Sequence, residues 1–400
     1  MKALFLTSRV PFPPKSGYPI VVYNTIKGLL SLDVEITLFS INTAKDKVDV
    51  DDIYDPVFEN IDFYSYDLDT EVNVWGALFN IFSNESYNVS RYYDEEAAKI
   101  LENILRESDF DIIQFEGLFV VPYLNTVKTN SKAKLVYRAH NIVFDVWERI
   151  ATTEKFTPKR KYLQFLARRL KEYEKEEINR FHQIFAISEP DRHNILRLGC
   201  ETNLQVFPVA LDFEKYVAST AIDGFPTLFH LGTMDWRPNK EGLEWFLYEI
   251  WPDIEKLNSE LRFYIAGKNM QREFFEYDSD NVVVEGEVFD AVDFMNSKAI
   301  MIVPLLSGSG MRVKIIEGMA MSKCVIATTI AAEGIEYQHG KDILIANTAD
   351  EFYRSILQCI TNPNQWREIG ANARKTAEKH YNISNVAQRM LNIYQRLIIA

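Results

Sequence analysis

The 400-residue chain has only three cysteines, Cys200, Cys324 and Cys359, far apart and without a Cys-x-x-Cys pair. Neither a disulfide framework nor a zinc site is suggested, and a reducing cytoplasm fits best. Positive charge is also short: 44 Lys and Arg against 57 Asp and Glu leave a formal net charge of -13. A general nucleic-acid binder needs the opposite balance, so nucleic acid is not an expected partner. No window holds the roughly 20 apolar residues of a membrane-spanning helix. The nearest, Val72 to Phe82, is interrupted by Asn73 and Asn80. The opening run Met1-Lys-Ala-Leu-Phe-Leu is too short for a signal peptide and reads as a first strand. Gly-x-Gly-x-x-Gly after that strand, a Walker loop, His-Glu-x-x-His and a nucleophile elbow are all missing, which removes the common dehydrogenase, ATPase, zinc-protease and hydrolase readings. No Asp-x-Asp pair stands out, so charge on a leaving group must be met by Arg, Lys and a helix dipole, without a metal or other cofactor.

What is present is an ordinary globular composition, 47% hydrophobic and 25% charged. At about 100–200 residues per domain, the length predicts two or three domains. Short apolar runs alternate with helical patterns: strands at Ala3–Thr7, Glu35–Phe39, Asp111–Phe115, Lys134–Tyr137 and Gln183–Ile187, with helices over 18–31 and 92–107. The rhythm repeats with Thr227–Leu231, a helix over 238–256, Arg262–Ala266, Val282–Val284, Ala299–Val303, a helix over 311–321 and Cys324–Ala327. Between the halves, Val206 to Pro226 loses periodicity and carries Pro208, Gly224 and Pro226, which marks a linker. The fold class is therefore α/β, with two doubly wound Rossmann-like domains. Ligands of such sheets sit beyond the carboxyl ends of the strands, so two facing domains would build a site in a cleft.

The most informative stretch is Pro304-Leu-Leu-Ser-Gly-Ser-Gly-Met-Arg-Val-Lys-Ile-Ile-Glu317-Gly-Met-Ala-Met-Ser. It reads as a buried strand, a Gly-rich loop over Ser307 to Gly310, and a helix in which Glu317 stands among Val313, Ile315, Ile316 and Met319. Loop glycines free backbone N–H groups at a helix N-terminus, where the macrodipole favours an anion, and Arg312 and Lys314 add two cations. An acid in such apolar surroundings needs a partner: a salt bridge to Arg312 or Lys314, or the hydroxyls of a ligand such as a ribose diol.

Strand, Gly-rich loop and a helix ending Glu-Gly-Met-Ala-Met together resemble the donor-site motif of the retaining GT-B glycosyltransferases of family 4, in particular a branch common in bacterial surface-polysaccharide loci. The resemblance spans nearly the whole chain. It implies GT-B architecture, with an acceptor-side domain over 1–207, a nucleotide-sugar domain over 208–382, and a C-terminal helix over 383–400 returning to the first domain. The family motif has two acids separated by seven residues, the second binding the nucleotide ribose and the first reaching the donor sugar. Glu317 matches the second, whereas Ser309 stands at the first and can offer only a hydroxyl.

Other positions follow from the same resemblance. His230-Leu-Gly-Thr-Met-Asp-Trp-Arg237-Pro-Asn-Lys240 matches the loop that supplies cations to the diphosphate, making Arg237 and Lys240 candidates, although Thr233 stands where the family often has Arg. Solvated charges at a helix start, with Asn239 or Asp235 as cap, would explain the same residues. The proline-stiffened loop from Arg9 to Gly17 matches the loop facing donor phosphate and acceptor, with Gly17 allowing close approach. Arg138-Ala-His140-Asn141 looks like the N-domain histidine near the donor sugar, with Val143 where relatives often have Glu. Glu116, at another strand end, is the remaining acid suited to orient an acceptor hydroxyl, and a simple cap explains it nearly as well. The donor-binding set is thus Gly17, Ser309, Gly310, Arg312, Lys314 and Glu317, and the catalytic set His140, Arg237, Lys240 and Glu116. Ser188-x-x-Asp191 is assigned only a capping box.

The resemblance implies a retaining glycosyltransferase, using a nucleotide-sugar donor and a glycan or lipid-linked acceptor, and the missing metal motif makes a metal-independent one expected. It is expected in the cytoplasm, with the basic helix near 158–171 as the candidate for peripheral contact with anionic lipid. Packing of its stripe Leu163, Leu166, Ala167 and Leu170 is the competing explanation. Two rival functions stay open, a nucleotide-sugar epimerase of the same fold and a catalytically silent nucleotide-binding scaffold.

Overall fold

The computed structural model describes residues 1–14, 17–71, 86–217, 227–258, 260–308 and 310–399. The apolar window Val72 to Phe82 and the loop residue Ser309 lie outside the described residues. The chain divides into two compact units, Met1–Ala210 with Ile383–Ala400, and Leu211–Asn382. Each unit is an α/β layer structure around one parallel sheet.

In the first unit β1 (Lys2–Thr7), β2 (Glu35–Thr43), β3 (Asp62–Leu68), β4 (Ile112–Glu116), β5 (Lys134–Ala139), β6 (Gln183–Ala186) and β7 (Asn203–Val206) lie in the order β3-β2-β1-β4-β5-β6-β7. In the second, β8 (Leu228–Leu231), β9 (Phe263–Ala266), β10 (Val282–Gly286), β11 (Ile300–Val303), β12 (Cys324–Ala327) and β13 (Leu344–Ile345) lie in the order β10-β9-β8-β11-β12-β13. The central strands β4, β11 and β12 are buried along their whole length. Covered on both faces by helices, such strands need continuous apolar runs and not alternation. Strand order reverses between β1 and β4 and between β8 and β11, and at such reversals the loops leaving adjacent strands diverge and open a crevice.

Two packing details matter below. The helix Gly17–Leu30 meets the helix Ile383–Ile399 so closely that a Cβ on Gly28 would stand 2.8 Å from the Ala387 Cβ. Tyr394 of that last helix is fully buried and donates its hydroxyl to Gln114 on β4. The basic helix Thr157–Ile178 buries Leu163, Leu166, Ala167 and Leu170 within the first unit. Among the described residues, no helix is long and apolar enough to cross a membrane.

The continuous helix expected over 238–256 is interrupted. It runs as Arg237–Trp245, a π-turn at Phe246–Ile250, then Trp251–Glu255. Pro252 is the cause: it has no N–H to donate and its ring clashes with the carbonyl four residues back, so the preceding turn widens.

Candidate functional site

At the reversal in the second sheet, the loops after β8 and β11 meet. Lys314, in the first turn of the helix Val313–Ala320, donates its ammonium to Asn239 Oδ1 at 2.8 Å. Asn239, buried in the helix Arg237–Trp245, in turn donates to the Thr233 carbonyl at 2.8 Å. Its side chain is committed to that bridge, and the helix is N-capped by Trp236 without a side-chain bond, so neither Asn239 nor Asp235 caps it. The loops after β8, β9 and β11 approach so tightly that side chains are excluded. A Cβ on Gly232 would stand 2.7 Å from Asn239 Nδ2 and 3.0 Å from Lys314 Nζ, and one on Gly267 would lie 1.7 Å from the Gly232 carbonyl oxygen. Burial, with the neighbouring Arg312 charge, pulls the Lys314 ammonium down to about 7.

Arg312 is the buried N-cap of the same helix and reaches back to the Gly310 carbonyl, with its guanidinium 5.1 Å from the Trp236 ring centroid. Gly308 and Gly310 adopt φ of 118° and 84°, a region costly for residues with a Cβ. Two cations, a helix N-terminus lacking any side-chain cap and a loop bent by left-handed glycines form one electropositive cradle. One turn further, Glu317 is partly exposed and accepts a hydrogen bond from the Tyr216 hydroxyl at 2.8 Å. Among the described residues it forms no salt bridge with Arg312 or Lys314. Burial raises its carboxyl, an effect the Tyr216 hydroxyl opposes. Tyr216 is itself anchored, its carbonyl accepting from Arg374.

The first unit carries a second polar cluster at its own reversal. Glu116, the last residue of β4, is fully buried, with Oε2 2.5 Å from His140 Nε2 and Oε1 accepting from Gln114. Arg138, paired in register with Glu116 on β5, is also fully buried and donates to Thr25 Oγ1 at 2.7 Å and the Pro208 carbonyl at 3.2 Å. Burial works to raise the Glu116 carboxyl, but the His140 bond and the Arg138 charge bring it below its usual value. Burial holds His140 below its usual value against the pull of Glu116. An ionised Glu116 beneath a neutral imidazole fixes the tautomer: Nε2–H donates to the carboxylate and Nδ1 is left as the acceptor. The His140 side chain keeps 12% of its surface exposed. Tyr18 lies against the ring at 4.6 Å between centroids and donates its hydroxyl to the Glu116 carbonyl at 3.0 Å.

The structure thus groups Gly310, Arg312, Lys314 and Glu317 along one loop and helix, and His140 with Glu116 at another strand end. Glu116 reaches the imidazole and not solvent. Arg237 and Lys240 flank Asn239 in the first turn of their helix: Arg237 is largely exposed and ion-paired to Glu241 at 2.6 Å, Glu241 also accepting from Ser307 Oγ in the loop after β11 at 3.2 Å, and Lys240 binds Gln271 with Glu244 at 3.8 Å. Gly17 begins the helix Gly17–Leu30, where an added Cβ would meet no protein atom within 4 Å. Ser188 caps the helix Glu189–Arg197 through the Asp191 amide. Sequence patterns did not mark Tyr216, Tyr18 or Gln114 as site residues. The bridging role of Asn239 was foreshadowed only by its place beside two cations.

Residues 16–215 match a family model described as Glycosyltransferase Family 4, and residues 225–362 one described as Glycosyl transferases group 1. The uncharacterized 44.6 kDa protein in cps region of Klebsiella pneumoniae is 23% identical over 297 residues, covering 72% of this chain and 74% of its own. Sucrose-phosphate synthase from Thermosynechococcus elongatus aligns over 100% of both chains with a TM-score of 0.71 and 14% identity. HepE from Anabaena, in complex with UDP and glucose, covers 99% of this chain and 100% of its own with a TM-score of 0.66 and 13% identity. The likeness to these structures is one of fold, the two-domain GT-B architecture.

Proposed function

Since the chain belongs to glycosyltransferase family 4, we propose that it transfers a sugar from a nucleotide diphosphate donor to a glycan or lipid-linked saccharide, with retention at the anomeric carbon. The observation that carries the donor half is the cradle after β11. Lys314, Arg312 and the N-terminus of the helix Val313–Ala320 supply positive potential of diphosphate size, and one turn on Glu317 offers a carboxylate not neutralised by either cation. A ribose diol donates two hydrogen bonds to such a group.

The leaving diphosphate is stabilised by fixed cations and the helix dipole, so the step does not require a metal. In a retaining transfer the departing phosphate takes the proton of the incoming hydroxyl on the same face, and positioning carries much of the rate. His140, oriented by Glu116 and Tyr18, presents Nδ1 as an acceptor for a sugar hydroxyl. The likeness to a protein in a cps region supports a surface-polysaccharide acceptor. With the stripe of the helix Thr157–Ile178 packed inward, peripheral membrane contact at the cytoplasmic face would run through its charged side.

Thermal stabilisation of the full-length protein by UDP, GDP, ADP and CMP tests the donor site. One nucleotide is expected to raise Tm, and Glu317→Ala to abolish the rise. An unchanged rise in the variant would remove Glu317 from the ribose. Nucleotide released from a panel of sugar donors, with and without saccharide acceptors, then tests transfer.

A further inference from the structure

Glu174 belongs to none of the motifs above. It sits in the helix Thr157–Ile178, only 3% exposed, yet its carboxylate points at another helix. Oε1 accepts from the Val143 amide at 3.0 Å and Oε2 from the Phe144 amide at 3.1 Å. Both amides open the helix Val143–Thr153, whose N-cap, Ile142, has no polar side chain to offer. A remote carboxylate therefore does the work of a capping residue, favoured by the dipole of the helix it closes. Between this cap and the end of β5 lies a three-residue turn, His140-Asn141-Ile142.

His140 is consequently held from three directions: by Glu116 through Nε2, by Tyr18 against the ring, and by Glu174 through the backbone that follows it. The titratable and charged groups around Glu174 are Asp145 in the capped helix, Tyr137 on β5, and Tyr173 and Lys171 on its own helix, with the Lys171 ammonium 5.1 Å from the Phe144 ring centroid. Burial drives the carboxyl up to about 7 against the pull of the two amides. A proton on one oxygen turns an acceptor into a donor, and one cap bond is lost.

We propose that Glu174 is a positioning residue for the transfer reaction, fixing the His140–Val143 turn and thereby the placement of His140 against Glu116 and Tyr18. The proposal rests on the reading of His140 as a group that meets the donor sugar. Above neutral pH both cap bonds hold the turn; as pH falls through the range of this carboxyl, one is released and the imidazole loses its register.

The imidazole of His140 in the full-length protein is the probe, its 15N signals assigned by their loss in His140→Gln. Titrated from pH 8.5 to 5.5, the wild-type signals should show an inflection near neutrality besides their own titration. Glu174→Gln should erase that inflection and shift the pH 8 signals toward their low-pH positions. Val143→Pro removes one donor while leaving Glu174 intact. Proline is accepted at a first helical position, and Ile142 already holds the extended φ of -93° and ψ of 105° required before it, so the backbone accommodates this variant, which should reproduce part of the shift. Signals and inflection unchanged in both variants would overturn the proposal. In parallel, nucleotide release from the donor found in the panel should fall about tenfold in kcat for Glu174→Gln at pH 8, with donor KM unchanged. If His140→Gln left kcat untouched, the reading of His140 would fail while the titration still decided whether Glu174 positions the ring.

Discussion

Lys314 is a cation with a neutral alternative close at hand, because burial and Arg312 bring it to about 7. An arriving diphosphate favours the charged form, so binding above neutrality must take up a proton. Calorimetric titration of nucleoside diphosphate at pH 8, in buffers of different ionisation enthalpy, should report uptake approaching one proton, and Lys314→Met should remove it. Stability has its own signature. The folded chain releases this proton near pH 7 and the unfolded chain near the ordinary lysine value, so the unfolded state binds more protons between them and stability rises with pH across that window. The difference in Tm between wild type and Lys314→Met, followed from pH 7 to 10, should show that rise. Glu116 makes a residue-scale prediction of another kind. With its carboxylate beneath His140, Glu116→Gln keeps the shape but forfeits the charge that selects the tautomer. The loss in kcat should be smaller than the roughly 10²–10⁴-fold expected for His140→Ala, with donor KM unchanged in both.

At the scale of elements, sequence and structure agree where one local pattern suffices. The βα alternation was legible because each central strand is a short uninterrupted apolar run, and the loop–helix after β11 because glycine, cation and acid stand within eleven residues, Ser307 to Glu317. The π-turn before Pro252 was missed although its cause is local, because periodicity alone runs straight through it. Tyr216 could not be read from pattern at all, since its partner lies 101 residues away and any buried tyrosine satisfies the same sequence. Glu174 is similar: a glutamate within a charged helix looks solvated until the neighbouring helix is in place. Arg237 and Lys240 stand beside Asn239 as their sequence suggests, and what pattern could not show is that each also carries an i,i+4 ion pair, to Glu241 and Glu244. One element contact is sharply testable. A Cβ on Gly242 would stand 2.5 Å from the Pro304 carbonyl oxygen, so the helix after β8 rests directly on the backbone leaving β11. Gly242→Ala should cost about 1–3 kcal/mol in chemical denaturation and weaken nucleotide binding, because it pushes apart the loops that Asn239 and Lys314 join.

For the whole molecule, the informative fact is the composition of the first unit, which takes residues from both ends of the chain. The helix Ile383–Ile399 buries Val386, Met390, Leu391 and Tyr394, and Tyr394 bonds Gln114, itself the donor to Glu116. Removing residues 383–400 therefore strips one face of the first core and one support of the His140 cluster. A chain ending at Asn382 should show a lowered transition for the first unit in calorimetry, while nucleotide still stabilises the second. Simultaneous loss of both would show that the units do not melt independently.

The same arrangement sets an order on biosynthesis. Residues 383–400 are synthesised after the whole second unit, so Gln114 and Gly28 wait for their partners through the making of residues 211–382. Only once that unit has been made can the helix dock, complete the first core and hold the segment that supports His140. The nucleotide cradle can form on the nascent chain before the full support of His140 is in place, so a product that stops short of residue 383 can hold a donor before it is equipped to use one.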